Sequence, residues 1–249
     1  MSARRRHGGR NALLLIAALF ALWQAMFWAV GDTALSSPLA TLRYTANLVT
    51  GENFRMHLFD TMRAFAIAFV LSVVIGLLVG FWLGFDRLSG DALEPMIVTV
   101  YAIPKLTLYP ILLLAFGLGL SAKVAFGVLH GTIPIILFTL GAVRNTKPIL
   151  LKTGHVLKLS RPQMVRWILF PAAIPEIFTG LRVGFSLTLI GSLLAEMFAS
   201  QRGLGYLLMN GIGLHNIELV MSVTLLIVVF AASVSTLLLH IDRRLHRQE

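Results

Sequence analysis

Residues 64–85 read AFAIAFVLSVVIGLLVGFWLGF, twenty-two positions without a charged side chain. At 1.5 Å per helical residue such a run crosses the hydrocarbon core of a bilayer, which takes about 20 mostly apolar residues. Residues 12–30 and 124–143 are equally free of charge, and 219–241 lie uninterrupted between Glu218 and Asp242. Two further runs carry charge. Residues 95 to about 120 contain Lys105 with Pro104 and Pro110, and residues 172–198 contain Glu176 and Arg182. Both are long enough to span. The pattern predicts an all-α polytopic membrane protein of six transmembrane helices.

Composition agrees. Of 249 residues, 57% are hydrophobic and 13% charged, and the mean hydropathy is +0.83. An ordinary soluble domain carries about a quarter charged residues, and disorder requires low hydrophobicity, so both classes are excluded. The net charge of +10 falls in blocks between apolar runs, which argues for membrane orientation and against a nucleic-acid partner. There is no cysteine, and the seven histidines form no ligand-spaced pair; neither a metal site nor a cofactor is expected.

Six spans place both termini on one side, and Lys and Arg counts choose which. One face collects Arg4, Arg5, Arg6, Arg10, Arg87, Arg144, Lys147, Lys152, Lys158, Arg161, Arg166, Arg243, Arg244 and Arg247. The other has Arg43, Arg55, Lys123 and Arg202, with Arg63, Lys105 and Arg182 at intramembrane positions. The expectation is a multi-pass inner-membrane protein with both ends in the cytoplasm. The first apolar run exceeds the usual 7–15 residues of a signal peptide's core and reads as a retained helix. Residues 31–57 then form an external connection, so the chain divides into residues 1–57, a helix with its connection, and a membrane domain at 58–249.

Charges at bilayer depth face a cavity or a partner, which makes Lys105, Glu176 and Arg182 candidates for the pathway or for intramembrane polar contacts. Lys105 has an alternative in the carbonyls that Pro104 and Pro110 leave free. Asp60 and Arg63, three apart, are spaced to pair structurally. His130 shares its span with no carboxylate and reads as a hydrogen-bonded packing residue. Glycines recur every fourth residue at 76, 80 and 84, at 127 and 131, and at 180 and 184, the spacing that lets helices pack closely within one chain or across a dimer.

The inward segment 144–171 has six basic residues and no acid. Pro148 opens a short helix, and Ser160 with Gln163 makes a capping box for a second. Met164, Val165, Ile168 and Leu169 form an apolar stripe opposite Gln163 and Arg166. Such helices either lie on anionic lipid or dock a cytoplasmic partner.

The run AIPKLTLYPILLLAFGLGLSAKVAFGVLHGTIPIILFTLGAVR, followed by ILFPAAIPEIFTGLRVGFSLTLIGSLLAEMF and RGLGYLL, resembles the permease subunits of bacterial ABC importers, in the nitrate, sulfonate, taurine and pyrimidine-precursor branch. The likeness covers about residues 58–249. In that family an EAA motif, then a glycine, then I-x-L-P form two coupling helices between spans four and five that sit in a cleft of the ATPase. Ile168 and Pro171 match the later part, with Phe170 in place of leucine, and Arg161 and Arg166 lie on the same loop. Lys152, Thr153 and Gly154 stand where the family has EAA, and Lys158 where it has glycine. If that glycine uses a positive φ, Lys158 costs about 1–2 kcal/mol there. The departure fits an ATPase with a compensating acidic cleft or the less engaged half of a permease pair.

The resemblance implies a permease of an ATP-driven importer, itself not an enzyme. Its partners would be a cytoplasmic ATPase, an external solute-binding protein, and a second copy or a related permease. No G-x-x-x-x-G-K-[ST] loop is present, so nucleotide chemistry belongs to another chain. The alternatives are an ion-coupled secondary transporter, which would show coupling-ion ligands and often repeated halves, and an intramembrane enzyme, which would need a nucleophile with a base or a histidine cluster.

Overall fold

A computed structural model of the chain describes residues 2–245, with side chains at residues 14–242 apart from Arg161. The terminal arginines used for orientation have side chains outside the described residues. Every regular element among those residues is helical. In order they are α1 (Ser2–Val30), α2 (Pro38–Thr50), α3 (Glu52–Phe85), α4 (Arg87–Ala102), a 3₁₀ turn (Lys105–Leu108), α5 (Tyr109–Phe116), α6 (Leu120–Arg144), α7 (Pro148–Val156), α8 (Arg161–Met164), a π turn (Val165–Leu169), α9 (Phe170–Ala199), α10 (Leu204–Gly213) and α11 (Ile217–Leu245).

Among the described residues four helices are long and apolar enough to cross a membrane: Glu52–Phe85, Leu120–Arg144, Pro162–Ala199 and Ile217–Asp242. A fifth crossing, expected as one run over residues 95–120, is instead two helices, Arg87–Ala102 and Lys105–Phe116, at 90° to each other. The bend falls where Ile103, extended at ψ 135°, precedes Pro104. Proline removes a backbone donor and drives the residue before it out of the helical region, so a continuous span is not available there. The apolar part of α1 is the shorter helix Leu14–Val30.

The centre is α6, with 61% of its most apolar stretch buried, against 11% for α11. It packs chiefly on α3 and α9. The glycine repeats explain the closeness. Gly76, Gly80 and Gly84 of α3 lie against Ile135, Thr139 and Val143 of α6, while Gly180 and Gly184 of α9 lie against Phe138 and Ile135. A β-carbon at Gly80 would stand 2.6 Å from that of Thr139, so glycine is needed for the approach. These repeats are therefore packing seams within the chain. His130 behaves as expected: it is buried, its Nδ1 lies 2.9 Å from the Phe126 carbonyl, and its ring meets Phe126 edge-on.

Residues 31–57 are largely helical. Ser37 caps α2 by accepting the Ala40 N–H, and Pro38 supplies the preset φ of the first turn. The helix packs on α11, where the Ser222 hydroxyl donates to the Thr41 carbonyl at 3.2 Å.

Candidate functional site

The two ends of α6 each carry a polar site. At its N-terminal end Lys123, one turn into the helix, is 5% exposed and Glu196, near the end of α9, is fully buried. The ammonium lies 3.3 Å from Glu196 Oε1 and also donates to the Arg202 carbonyl at 2.6 Å. Glu196 Oε2 accepts from the Thr61 hydroxyl at 2.7 Å and from the Gly205 N–H at 3.0 Å. The Thr61 hydroxyl in turn accepts the Leu204 N–H at 2.8 Å. A carboxylate bound by two donors and an ammonium is how a buried charge is held.

The turn over this pair is shaped to it. Gly203 has φ 119°, and the face where a side chain would stand is filled by the Glu196 carboxyl group. Its N–H donates to His57 Nδ1 at 3.0 Å, so that nitrogen is an acceptor and the imidazole carries its hydrogen on Nε2. The network ties the 200–204 turn to α3, α6 and α9 together. Beside it a cavity of about 290 Å³ is lined by Asp60, Arg63, Lys123, Gln201 and Arg202, among others. Asp60 and Arg63 share this cavity but form no ion pair, although their spacing permits one.

The charges singled out in the sequence are engaged separately. Lys105 donates to the Tyr101 carbonyl at 3.0 Å and lies over the Tyr101 ring. That carbonyl belongs to the last turn of α4, which ends at Ala102 and leaves it without a helical N–H. Glu176 lies against Gly141 of α6. Arg182 pairs with Asp242 of α11 at 3.0 Å, and Thr179 donates to the same carboxylate. Lys123, counted in the sequence among the flanking charges of the less basic face, is buried in the pair with Glu196.

At the C-terminal end of α6, about 30 Å away along the helix, the chain forms a hairpin. The α7 helix ends in a Schellman motif: Lys158 N–H donates to the His155 carbonyl and Leu159 N–H to the Gly154 carbonyl. Lys158 takes the left-handed conformation this requires, φ 51°, so the strain anticipated for it is present. Gly154 is buried against Met164 and Ile168. Gln163 accepts from the Ser160 N–H at 2.9 Å, the return half of the capping box, while the Ser160 hydroxyl donates to Gln163 rather than accepting from the helix.

The second helix of the hairpin is not separate. It runs through the π turn into α9 as one helix, Pro162–Ala199. Phe170 N–H bonds the Val165 carbonyl five residues back, just before Pro171, which has no N–H to offer Trp167. Met164, Val165, Ile168 and Leu169 are half-buried, while Gln163 and Arg166 are exposed. Lys152, Thr153, Lys158 and Pro171 are exposed as well, together with Ile149, Val156, Leu157 and Trp167. Arg161 lies outside the described side chains. The hairpin thus presents cations and bare apolar groups together, a surface suited to a partner. Among the described residues no group of histidine and carboxylate side chains could hold a metal.

Residues 72–247 match the family described as binding-protein-dependent transport system inner membrane component. The chain is 33% identical over 203 residues to the riboflavin transport system permease protein RibX of Chloroflexus aurantiacus, covering 78% of this chain and 75% of that one. It is 28% identical over 200 residues to the nitrate import permease protein NrtB of Synechocystis sp., covering 77% and 72%. In fold it resembles a chain of the inward-facing MetNI methionine ABC transporter, with a TM-score of 0.66 at 18% identity, covering 78% of this chain and 99% of that one.

Proposed function

The chain belongs to the binding-protein-dependent transport system inner membrane component family as the permease subunit of an ABC importer, and on that premise we propose how its two polar ends divide the work. The hairpin from α7 to the π turn docks a separate cytoplasmic ATPase, through Lys152, Thr153, Gly154, Lys158, Arg161, Arg166, Ile168 and Pro171. The end bearing Lys123 and Glu196 faces outward, toward a solute-binding protein. This reading has six spans, α1 and the bent α4–α5 pair included, with both termini in the cytoplasm. The transporter domain is residues 58–249, with residues 1–57 adding one span and α2 outside. The permease works as a homodimer or beside a related permease. Its solute is small and of the sulfonate, nitrate, taurine or pyrimidine-precursor type.

The observation that carries this reading is the hairpin surface, where exposed cations stand beside exposed Val156, Leu157 and Trp167 on a turn fixed by a Schellman motif. A rigid, basic and apolar projection fits an acidic cleft lined with apolar groups. The test is isolation of the tagged chain from native membranes in mild detergent. An ATPase that accompanies it, and is lost from Lys152→Glu with Arg166→Glu, supports the reading; an ATPase retained by that variant discards the docking surface.

A further inference from the structure

Arg144 is the last residue of α6, four residues before α7 begins at Pro148. Its guanidinium does not turn toward the hairpin. It reaches α4, where Nη1 lies 2.9 Å from Asp91 Oδ1 and 3.0 Å from Glu94 Oε2, and Nη2 donates to the Arg87 carbonyl at 3.3 Å. Gly90, the buried residue of α4, lies directly under the guanidinium, and any side chain there would collide with it. Asp91 and Glu94 stand three apart on one helical face, so one planar donor engages both.

The rest of α4 is loosely held. It packs mainly along α3 and α6, and its remaining residues are half-buried or exposed. Beyond the right-angle bend at Pro104 the same segment becomes α5, whose Tyr109 is buried at the opposite end of the bundle. There its hydroxyl donates to the Ala195 carbonyl at 2.7 Å, one residue from Glu196, and its ring meets Phe126. The segment 87–116 is thus a strap. It is fastened at one end to the root of the hairpin through Arg144, and at the other beside the Lys123–Glu196 pair through Tyr109.

We propose that Arg144 is a positioning residue for coupling, the polar link by which displacement of the hairpin carries α4 and its bent continuation along. Exposed ion pairs contribute little to stability, and Asp91 and Glu94 are 63% and 41% exposed. A cluster of this kind holds α4 in register with the end of α6 without locking the fold. The proposal rests on the hairpin being the docking element.

The chain has no cysteine, so paired spin labels can be introduced cleanly. Labels at exposed Ile149 in the hairpin, exposed Leu88 in α4 and exposed Phe198 at the far end of α9 give two distances to a common reference. The labelled chain is assembled with its co-purified ATPase in nanodiscs, and diluted with unlabelled chain so that only distances within one chain are read. Distances are taken without nucleotide and with ATP plus orthovanadate. In the native chain both Ile149–Phe198 and Leu88–Phe198 should shift. In Arg144→Gln, and equally in Asp91→Asn with Glu94→Gln, the hairpin distance should still shift while the α4 distance does not.

An α4 shift of native size in both variants overturns the proposal, as does a native α4 that stays still while the hairpin moves. Absence of any hairpin movement in the native complex overturns the docking reading instead, and this proposal with it. Should Arg144→Gln fail to assemble, the double variant on the exposed face of α4 decides alone.

Discussion

Lys123 and Glu196, separated by 73 residues in sequence, meet at 3.3 Å with both side chains almost wholly enclosed, and together they hold the 200–204 turn over the end of the bundle. Removing one member of a buried pair typically costs about 3–5 kcal/mol, because the other charge is left without its counterpart.

The first prediction follows from the separate bonds each oxygen makes. Lys123→Met and Glu196→Gln should each lower the thermal transition of the detergent-purified protein. Their combination should recover much of the loss, since a glutamine amide oxygen still accepts from Thr61 or Gly205 and no buried charge remains. A double variant as unstable as the sum of the singles would show that the two do not interact.

The second concerns Lys158. Its left-handed backbone costs an L-residue about 1–2 kcal/mol, part of which glycine gives back through its greater freedom in the unfolded chain. Lys158→Gly should therefore stabilise the hairpin by about 1 kcal/mol, measured as slower hydrogen exchange at the amides of Lys158 and Leu159. Faster exchange would mean that the lysine side chain supplies a compensating contact.

Gly154 gives the third. Gly154→Leu should displace Met164 and disorder the hairpin while leaving membrane insertion intact, and Met164→Ala should relieve it by opening the space. Limited proteolysis at the hairpin reports both. Resistance equal to the native chain in Gly154→Leu would contradict the packing.

The reach of the sequence is set by distance along the chain. Four of the spans and the glycine seams were legible because composition and a four-residue period are local. The two helix starts of the hairpin were legible for the same reason, since Pro148, Ser160 and Gln163 act within a turn or two, whereas the continuation of the second helix into α9 was not. The burial of Lys123 was not legible: it stands at the edge of an apolar run, and nothing nearby announces a carboxylate 73 residues later. Pro104 was visible, but run length alone did not reveal a right angle. Asp60 and Arg63 show the converse, a spacing that permits a pair which the side chains do not make. The helix at 38–50 had its signal in Ser37–Pro38, masked by the polar character of the stretch around it.

Orientation is the fourth prediction. Single cysteines at Arg6 and Gln248 should be protected from an impermeant reagent applied to intact cells, and one at Asn47 in α2 should react. The reverse pattern would invert the molecule and put the hairpin outside.

The central claim, that this permease is driven through its hairpin by a separate ATPase, is tested most directly by ATP hydrolysis in proteoliposomes containing the chain and its co-purified ATPase, with the external binding protein added. The predicted result is hydrolysis that rises when loaded binding protein is present and loses that rise in Lys152→Glu with Arg166→Glu. Hydrolysis indifferent to both, together with proton- or sodium-driven uptake by the chain alone, would contradict it.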